Sequence, residues 1–245
     1  MDDSTVPSLV QTPSGNRLLA ALPQAEYSRL APHLTPVDLP RGKILCDRGE
    51  RLTHAFFPTE GIISILVDDL ADGTPMEIAN IGNEGMISVS ILLEGLDAPV
   101  SLRRSVMQMA GHAYRIPAHI LLEEFARAGK LRNWLLRFTQ ALITQVAQIA
   151  VCNHCHELEA QLCRWLLQRI DRQPSVEIPV TQQEIADMLG VRREGVTVAA
   201  SRLQEANLIR YVRGHLVVLD PAGLAKRGCE CRDVIQKEYA RLLGV

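Results

Sequence analysis

Residues 181–202, TQQEIADMLGVRREGVTVAASR, constrain the fold of this chain more than any other stretch. They read as two short helices joined by a tight turn. Ile185 and Leu189 lie four apart and share one face of the first helix, while Gln182, Gln183, Glu184 and Asp187 keep the other polar. Thr181 is a good N-cap, and Glu184 three residues on completes a capping-box pattern. Gly190 stands where the chain must turn, and Val191 supplies an apolar plug. The second helix turns Val196, Ala199, Ala200 and Leu203 inward and Arg192, Arg193, Glu194, Thr197 and Arg202 outward. Such a pair is a helix-turn-helix, whose second helix enters the major groove of DNA with its first residues at base edges.

The flanking residues agree. IRYV at 209–212 and LVVL at 216–219, joined by Arg213, Gly214 and His215, read as a hairpin, and a hairpin after a recognition helix is the wing of a winged helix. Between residues 190 and 215 five arginines (Arg192, Arg193, Arg202, Arg210, Arg213) face only Glu194 and Glu205, in a chain of net charge −2. A local basic patch on a near-neutral protein is what phosphate contacts require.

The 245 residues suit one large or two ordinary domains. The balance of 26 basic to 28 acidic residues excludes a polybasic tail. The opening MDDSTVPSLVQTPSGN has no secretory pattern, and no run of about 18 apolar residues spans a membrane. Six cysteines in such a chain point to reduced thiols. The expectation is a soluble cytoplasmic protein with no membrane partner.

Residues 1–16 read as a flexible lead, and 17–30 as two helical pieces interrupted by Pro23. From 37 to about 117 the texture is short apolar runs between turn residues: 37–39, 44–46, 54–57, 62–67, 76–81, 100–109 and 112–116, with Asp72-Gly73 as a hairpin turn. This predicts an antiparallel sandwich or roll. A long helix follows over 131–155, on which Leu135, Leu142 and Ile149 recur every seven with Phe138 and Val146 between them, a seam for a partner helix. Residues 158–170 form another helix, 172–175 a loop, and 222–243 an amphipathic tail helix. The predicted class is α+β: a flexible lead (1–16), a β-roll sensor domain (17–130), a dimerisation helix (131–155) and a winged helix-turn-helix domain (156–245).

This order resembles the Crp/Fnr family of bacterial transcription regulators, most sharply in TQQEIADMLGVRREGV. The resemblance implies a cyclic-nucleotide-binding-like double-stranded jelly roll. It also implies a homodimer on an inverted repeat of double-stranded DNA, and RNA polymerase as a partner. The family's Arg-Glu pair falls on Arg193 and Glu194, with Arg192 and Thr197 as further base contacts. Arg can bond guanine bidentately and Glu can accept from cytosine N4. Thr181, Arg202, Arg210 and Arg213 are assigned to phosphates. The second recognition-helix arginine of cyclic-AMP-responsive members is replaced by Val198.

The sensory half departs further. The Gly-Glu of the cyclic-nucleotide phosphate cassette corresponds to Ser88-Val89, and its Arg-Ser region to residues 98–101, with Arg103 and Arg104 following late. A buried cyclic phosphate without an arginine partner is costly, so cyclic AMP binding of the usual kind is not expected. The effector pocket is assigned to Glu84, Gly85, Ser88, Val89 and Arg103, with ligand and cofactor unassigned.

Cys152-Asn153-His154-Cys155-His156 is a literal haem-attachment string, but it ends a helix in a chain with no export signal. An alternative is a metal- or redox-responsive switch at Cys152 and His156, four apart on one helical face, with two protomers together supplying a tetrahedral set. Cys229-Glu230-Cys231 cannot share a helical face and reads as isolated tail packing. Catalysis is not expected. His54 and His112 are widely separated, and no nucleophile elbow or P-loop is present.

Overall fold

The computed structural model describes residues 15–68, 73–95, 99–173, 175–212 and 214–244. Its first fixed point is Asn16, fully buried. The Asn16 carboxamide oxygen accepts from the N–H groups of Leu18 and Leu19, capping α1 (Arg17–Ala20). Its amide donates to the carbonyls of Pro58 and Gly85. The expected flexible lead therefore stops short of Asn16, and residues 1–14 of it lie outside the described residues. Pro23 interrupts the helix as expected, and α2 (Gln24–Leu30) follows.

Seven strands build the roll: β1 (Thr35–Leu39), β2 (Ile44–Cys46), β3 (His54–Pro58), β4 (Ile62–Val67), β5 (Met76–Ile81), β6 (Arg104–Met109) and β7 (Gly111–Pro117). They form two antiparallel sheets, β1-β7-β3 and β2-β6-β4-β5. Strand β6 starts later than residue 100, and α3 (Ser90–Glu94) was not anticipated. Ile63, Ile81 and Met107 fill the interior with Phe57 and Ile116. Strand β4 reads as a continuous apolar run, not an alternating one, because both its faces are covered. Ile63 joins the roll core, while Leu66 joins the core of the DNA-binding half.

After α4 (Ala118–Ala126) comes the long helix α5 (Lys130–Cys155). Both carboxylate oxygens of Glu26 cap it, accepting from Lys130 N at 2.9 Å and Leu131 N at 2.8 Å. The expected seam on this helix needs correction. Leu135, Phe138 and Ile149 are buried in the chain's own roll core, and Leu142 packs on its edge. The heptad is real, but it faces inward. One residue on around the helix, Leu136 and Ile143 are exposed, as is Val151. Among the described helices α5 alone is long and apolar enough by composition to cross a membrane. Its buried face packs against the roll core.

The second half comprises α6 (Leu158–Arg172), β8 (Glu177–Pro179), α7 (Gln182–Leu189), α8 (Arg193–Glu205), β9 (Ile209–Val212), β10 (His215–Val218), α9 (Pro221–Arg227) and α10 (Cys231–Leu243). The expected single tail helix is broken after Arg227, and β8 adds an unexpected third strand to the wing in the order β8-β10-β9. Trp165, Leu166, Ile185, Val196, Leu203 and Leu216 centre this core. Helix α10 belongs elsewhere, its Ile235, Tyr239 and Leu243 joining the roll core beside α5.

Buried charge stitches the halves together. Arg169 of α6 bonds Glu77 of β5 at 2.8 Å, both side chains 2 % exposed, and the guanidinium stacks on Trp165. Ser64 and Asn80 also donate to Glu77. Burial alone would raise the Glu77 carboxyl, but Arg169 and these two donors outweigh it and hold it below its ordinary value.

Candidate DNA interface

The expected capping box is complete: Glu184 N donates to Thr181 Oγ1 at 3.1 Å, and Thr181 N donates to Glu184 Oε2 at 2.7 Å. Gly190 closes α7 in the left-handed conformation, φ 66°, where a β-branched or bulky residue would be strained. A Cβ there would also lie 2.8 Å from Met76 Sδ of the roll. Ile185, Ala186 and Leu189 of α7 bury against Val196, Ala199, Ala200 and Leu203 of α8. This leaves Arg192, Arg193, Glu194, Thr197 and Val198 exposed on one continuous face.

Thr197 is already held, its hydroxyl donating to Gln182 Oε1 at 2.8 Å. Gln182 thus braces the recognition helix from α7, a role sequence reading missed because the partners are fifteen residues apart. Arg210 is exposed on the wing strand β9, and Arg213 lies outside the described residues. Tyr211 anchors the wing, donating from its hydroxyl to Val180 O at 2.7 Å. Arg202 is 61 % exposed but sits 4.0 Å from Glu159, which also pairs with Arg227, so part of its charge is compensated within the chain. Helix α7 is docked on the roll, where Arg41 pairs with Glu184 at 2.5 Å and Gln108 Nε2 donates to Met188 Sδ at 3.6 Å.

The assigned effector residues separate. Ser88, Val89 and Arg103 line a roll cavity of about 280 Å³ that also touches Cys46, Leu52, Leu142 and Val146. Ser88 keeps φ 74°, the backbone of a glycine, at the position where the cassette glycine falls. Glu84 and Gly85 are not part of that cavity. The Glu84 carboxylate turns away to Arg172 at 2.8 Å, another bond between the halves. Gly85 is needed for close packing, since a Cβ there would meet the Phe138 ring at 2.3 Å. Arg104 is spent on Asp47 and Asp68 at 2.9 and 3.1 Å.

The reading of Cys229 and Cys231 as isolated is overturned. The interruption of the helix at 228–230 frees Cys229 from it, so the two thiols are not bound by helical spacing. Both converge on Cys152 and His156 of the same chain, and no second protomer is needed to assemble the group. Cys155 is exposed. It is not a member of the cluster.

Residues 160–227 match the family model described as the Crp-like helix-turn-helix domain. The whole chain is similar in structure to a transcriptional regulator of the Crp/Fnr family from Eubacterium rectale. The TM-score is 0.67 at 16% identity, over 86% of this chain and 95% of that one. FixK2 from Bradyrhizobium japonicum gives 0.65 at 13%, covering 80% of this chain and 98% of that one. A CRP-family transcriptional regulator from Thermus thermophilus gives 0.63 at 20%, covering 78% and 95%. Comparison with curated proteins finds no match. The chain therefore carries a Crp-like helix-turn-helix domain over residues 160–227, set in a fold similar to that of those regulators.

Proposed function

We propose that the protein acts as a homodimeric transcription regulator on an inverted-repeat operator, working in the cytoplasm where the DNA and RNA polymerase are. Arg193 and Glu194 read base edges, with Arg192 and Thr197 beside them. Thr181, Arg202, Arg210 and Arg213 serve phosphates. The observation that carries this reading is the exposed face of α8, which presents three charged side chains at the start of a helix braced from behind by α7.

The partner surface is the outer face of α5. Leu136, Gln140, Ile143, Ala147, Ala150 and His154 recur at alternating spacings of four and three, with Ile143 57 % exposed at the centre. The roll cavity touches Leu142 and Val146 on the other side of the same helix. A ligand there would bear directly on the helix that sets the two DNA-binding domains. Val89 offers no carboxylate for a ribose, so cyclic AMP is not held in the usual way; Arg104 is already paired, and Arg103 is the arginine that lines the cavity.

Selection of binding sites from random DNA by the purified chain tests the reading. An enriched inverted repeat with half-sites about one helical turn apart, bound with steep salt dependence, is expected. Enrichment of a single half-site would sink the dimer, and salt-independent or absent binding would sink the DNA reading.

A further inference from the structure

Four ligand-type side chains meet at the joint between the roll and the DNA-binding half: Cys152, His156, Cys229 and Cys231, their donor atoms all within 4.8 Å of one another. Cys152 comes from the last turn of α5. His156 is the residue that caps α5, its backbone already extended (φ −112°, ψ 150°). Cys229 lies in the break between α9 and α10, and Cys231 opens α10. Cys152 and Cys231 are fully buried, whereas His156 is 22 % exposed and gives the site its approach.

The spacings fit a tetrahedral metal. With Zn–S near 2.3 Å and Zn–N near 2.05 Å, tetrahedral angles place two sulphurs about 3.8 Å apart and a sulphur about 3.6 Å from a ring nitrogen. Here Cys152 Sγ lies 3.5 Å from Cys229 Sγ, and Cys231 Sγ lies 3.6 Å from His156 Nδ1. The remaining edges are no wider than 4.8 Å, within about 1 Å of the tetrahedral spacing.

The surroundings point the same way. His156 turns Nδ1 inward and Nε2 to Glu230 at 3.4 Å, the carboxylate–histidine arrangement that orients a metal-bound imidazole. Each of two sulphurs faces an N–H donor: Arg164 Nε is 3.1 Å from Cys152 Sγ, and Gln148 Nε2 is 3.1 Å from Cys231 Sγ. Arg164 is the more telling, because it is 2 % exposed and has no carboxylate partner among the described residues. A buried guanidinium needs a counter-charge. A divalent cation on three thiolates and a neutral imidazole leaves one net negative charge beside it. Loading would release three thiol protons to solvent and form three metal–sulphur bonds and one metal–nitrogen bond.

We propose that Cys152, His156, Cys229 and Cys231 form a closed zinc site within one protomer, clipping the break before α10 to the end of α5. Three thiolates and one imidazole with no open position suit zinc in a structural role. The clip holds the turn from α5 into α6, where the roll and the partner helix join the DNA-binding half. It stands independently of the DNA reading.

Elemental analysis of full-length protein purified under reducing conditions should find one zinc per chain, released by an organomercurial reagent. Cys152→Ser, Cys229→Ser and Cys231→Ser should each lose it, and Cys155→Ser should keep it. Glu230→Gln should load but hold zinc roughly 10–100-fold more weakly against a competing chelator. Cobalt-substituted wild type gives a readout that needs no variant to fold: thiolate-to-metal charge transfer and the ligand-field bands of a tetrahedral ion. Zinc-free protein that shows neither cobalt signature overturns the site. So does mass-spectrometric recovery of a Cys152–Cys229 disulfide in place of metal from protein handled without oxidant.

Discussion

Glu77→Gln removes the negative half of the buried pair between β5 and α6 and leaves Arg169 charged at 2 % exposure. The Arg169 guanidinium keeps its stacking on Trp165, 3.3 Å from the ring centroid, but loses its carboxylate partner Glu77. Breaking one partner of such a pair costs about 3–5 kcal/mol. For a chain of this size about 2 °C of Tm accompanies each kcal/mol, so a fall of roughly 6–10 °C is expected at neutral pH. A second substitution separates desolvation from simple loss of contact. Gln at position 77 retains an oxygen to accept from Ser64 or Asn80, and Arg169→Met removes the stranded charge while keeping an apolar stem on Trp165. The double variant should therefore be more stable than Glu77→Gln alone. The pH dependence has a fixed sign. The folded carboxyl is held below its ordinary 4.5, so its contribution is complete above that pH and is lost as pH falls through the folded value. The difference between wild type and Glu77→Gln, read by calorimetry from pH 7 downward, should accordingly shrink below pH 4.5. A double variant less stable than Glu77→Gln, or a pH-independent difference, would refute the argument.

Three further outcomes are expected. Arg193→Ala should cost about 1–3 kcal/mol on the selected site and relax preference at one base pair, whereas Arg210→Ala should weaken all sequences alike and lower the salt slope by about one. Equal losses on specific and random DNA would contradict the division. Ile143→Glu on the exposed face of α5 should yield monomers by sedimentation and abolish binding to the inverted repeat, while far-ultraviolet dichroism stays unchanged. A stable dimer would move the partner surface elsewhere. Gly190→Ala forces a Cβ into the left-handed region and should destabilise by about 1–2 kcal/mol in denaturant unfolding. A neutral result would mean the turn relaxes.

Much of the architecture was legible in the residues because its signals are local. The Thr181–Glu184 box, the left-handed Gly190 and the three-to-four spacing of α7 and α8 act within a few residues, and the helices form as read. The same holds for Pro23 between α1 and α2 and for the runs that become β4 and β5. Errors came where two local readings were equally good. Helix α5 carries apolar heptads on adjacent faces, and periodicity cannot say which meets the chain's own core. The structure gives Leu135, Phe138 and Ile149 to the roll and leaves Leu136 and Ile143 outside.

The remaining features belong to tertiary structure alone. Helical spacing argued against pairing Cys229 with Cys231, and only the break between α9 and α10 removes that constraint and carries both thiols to Cys152, 77 residues away from Cys229. Glu84 sits in the expected pocket segment, yet its carboxylate turns to Arg172 of α6. Glu77 gives no hint in a strand that its partner lies 92 residues on. Local propensity determined which elements form and which side chains of α8 face outward. Which charges are buried, which helix face is spent and which thiols meet were decided by packing, because those contacts exist only once distant segments have excluded water between them.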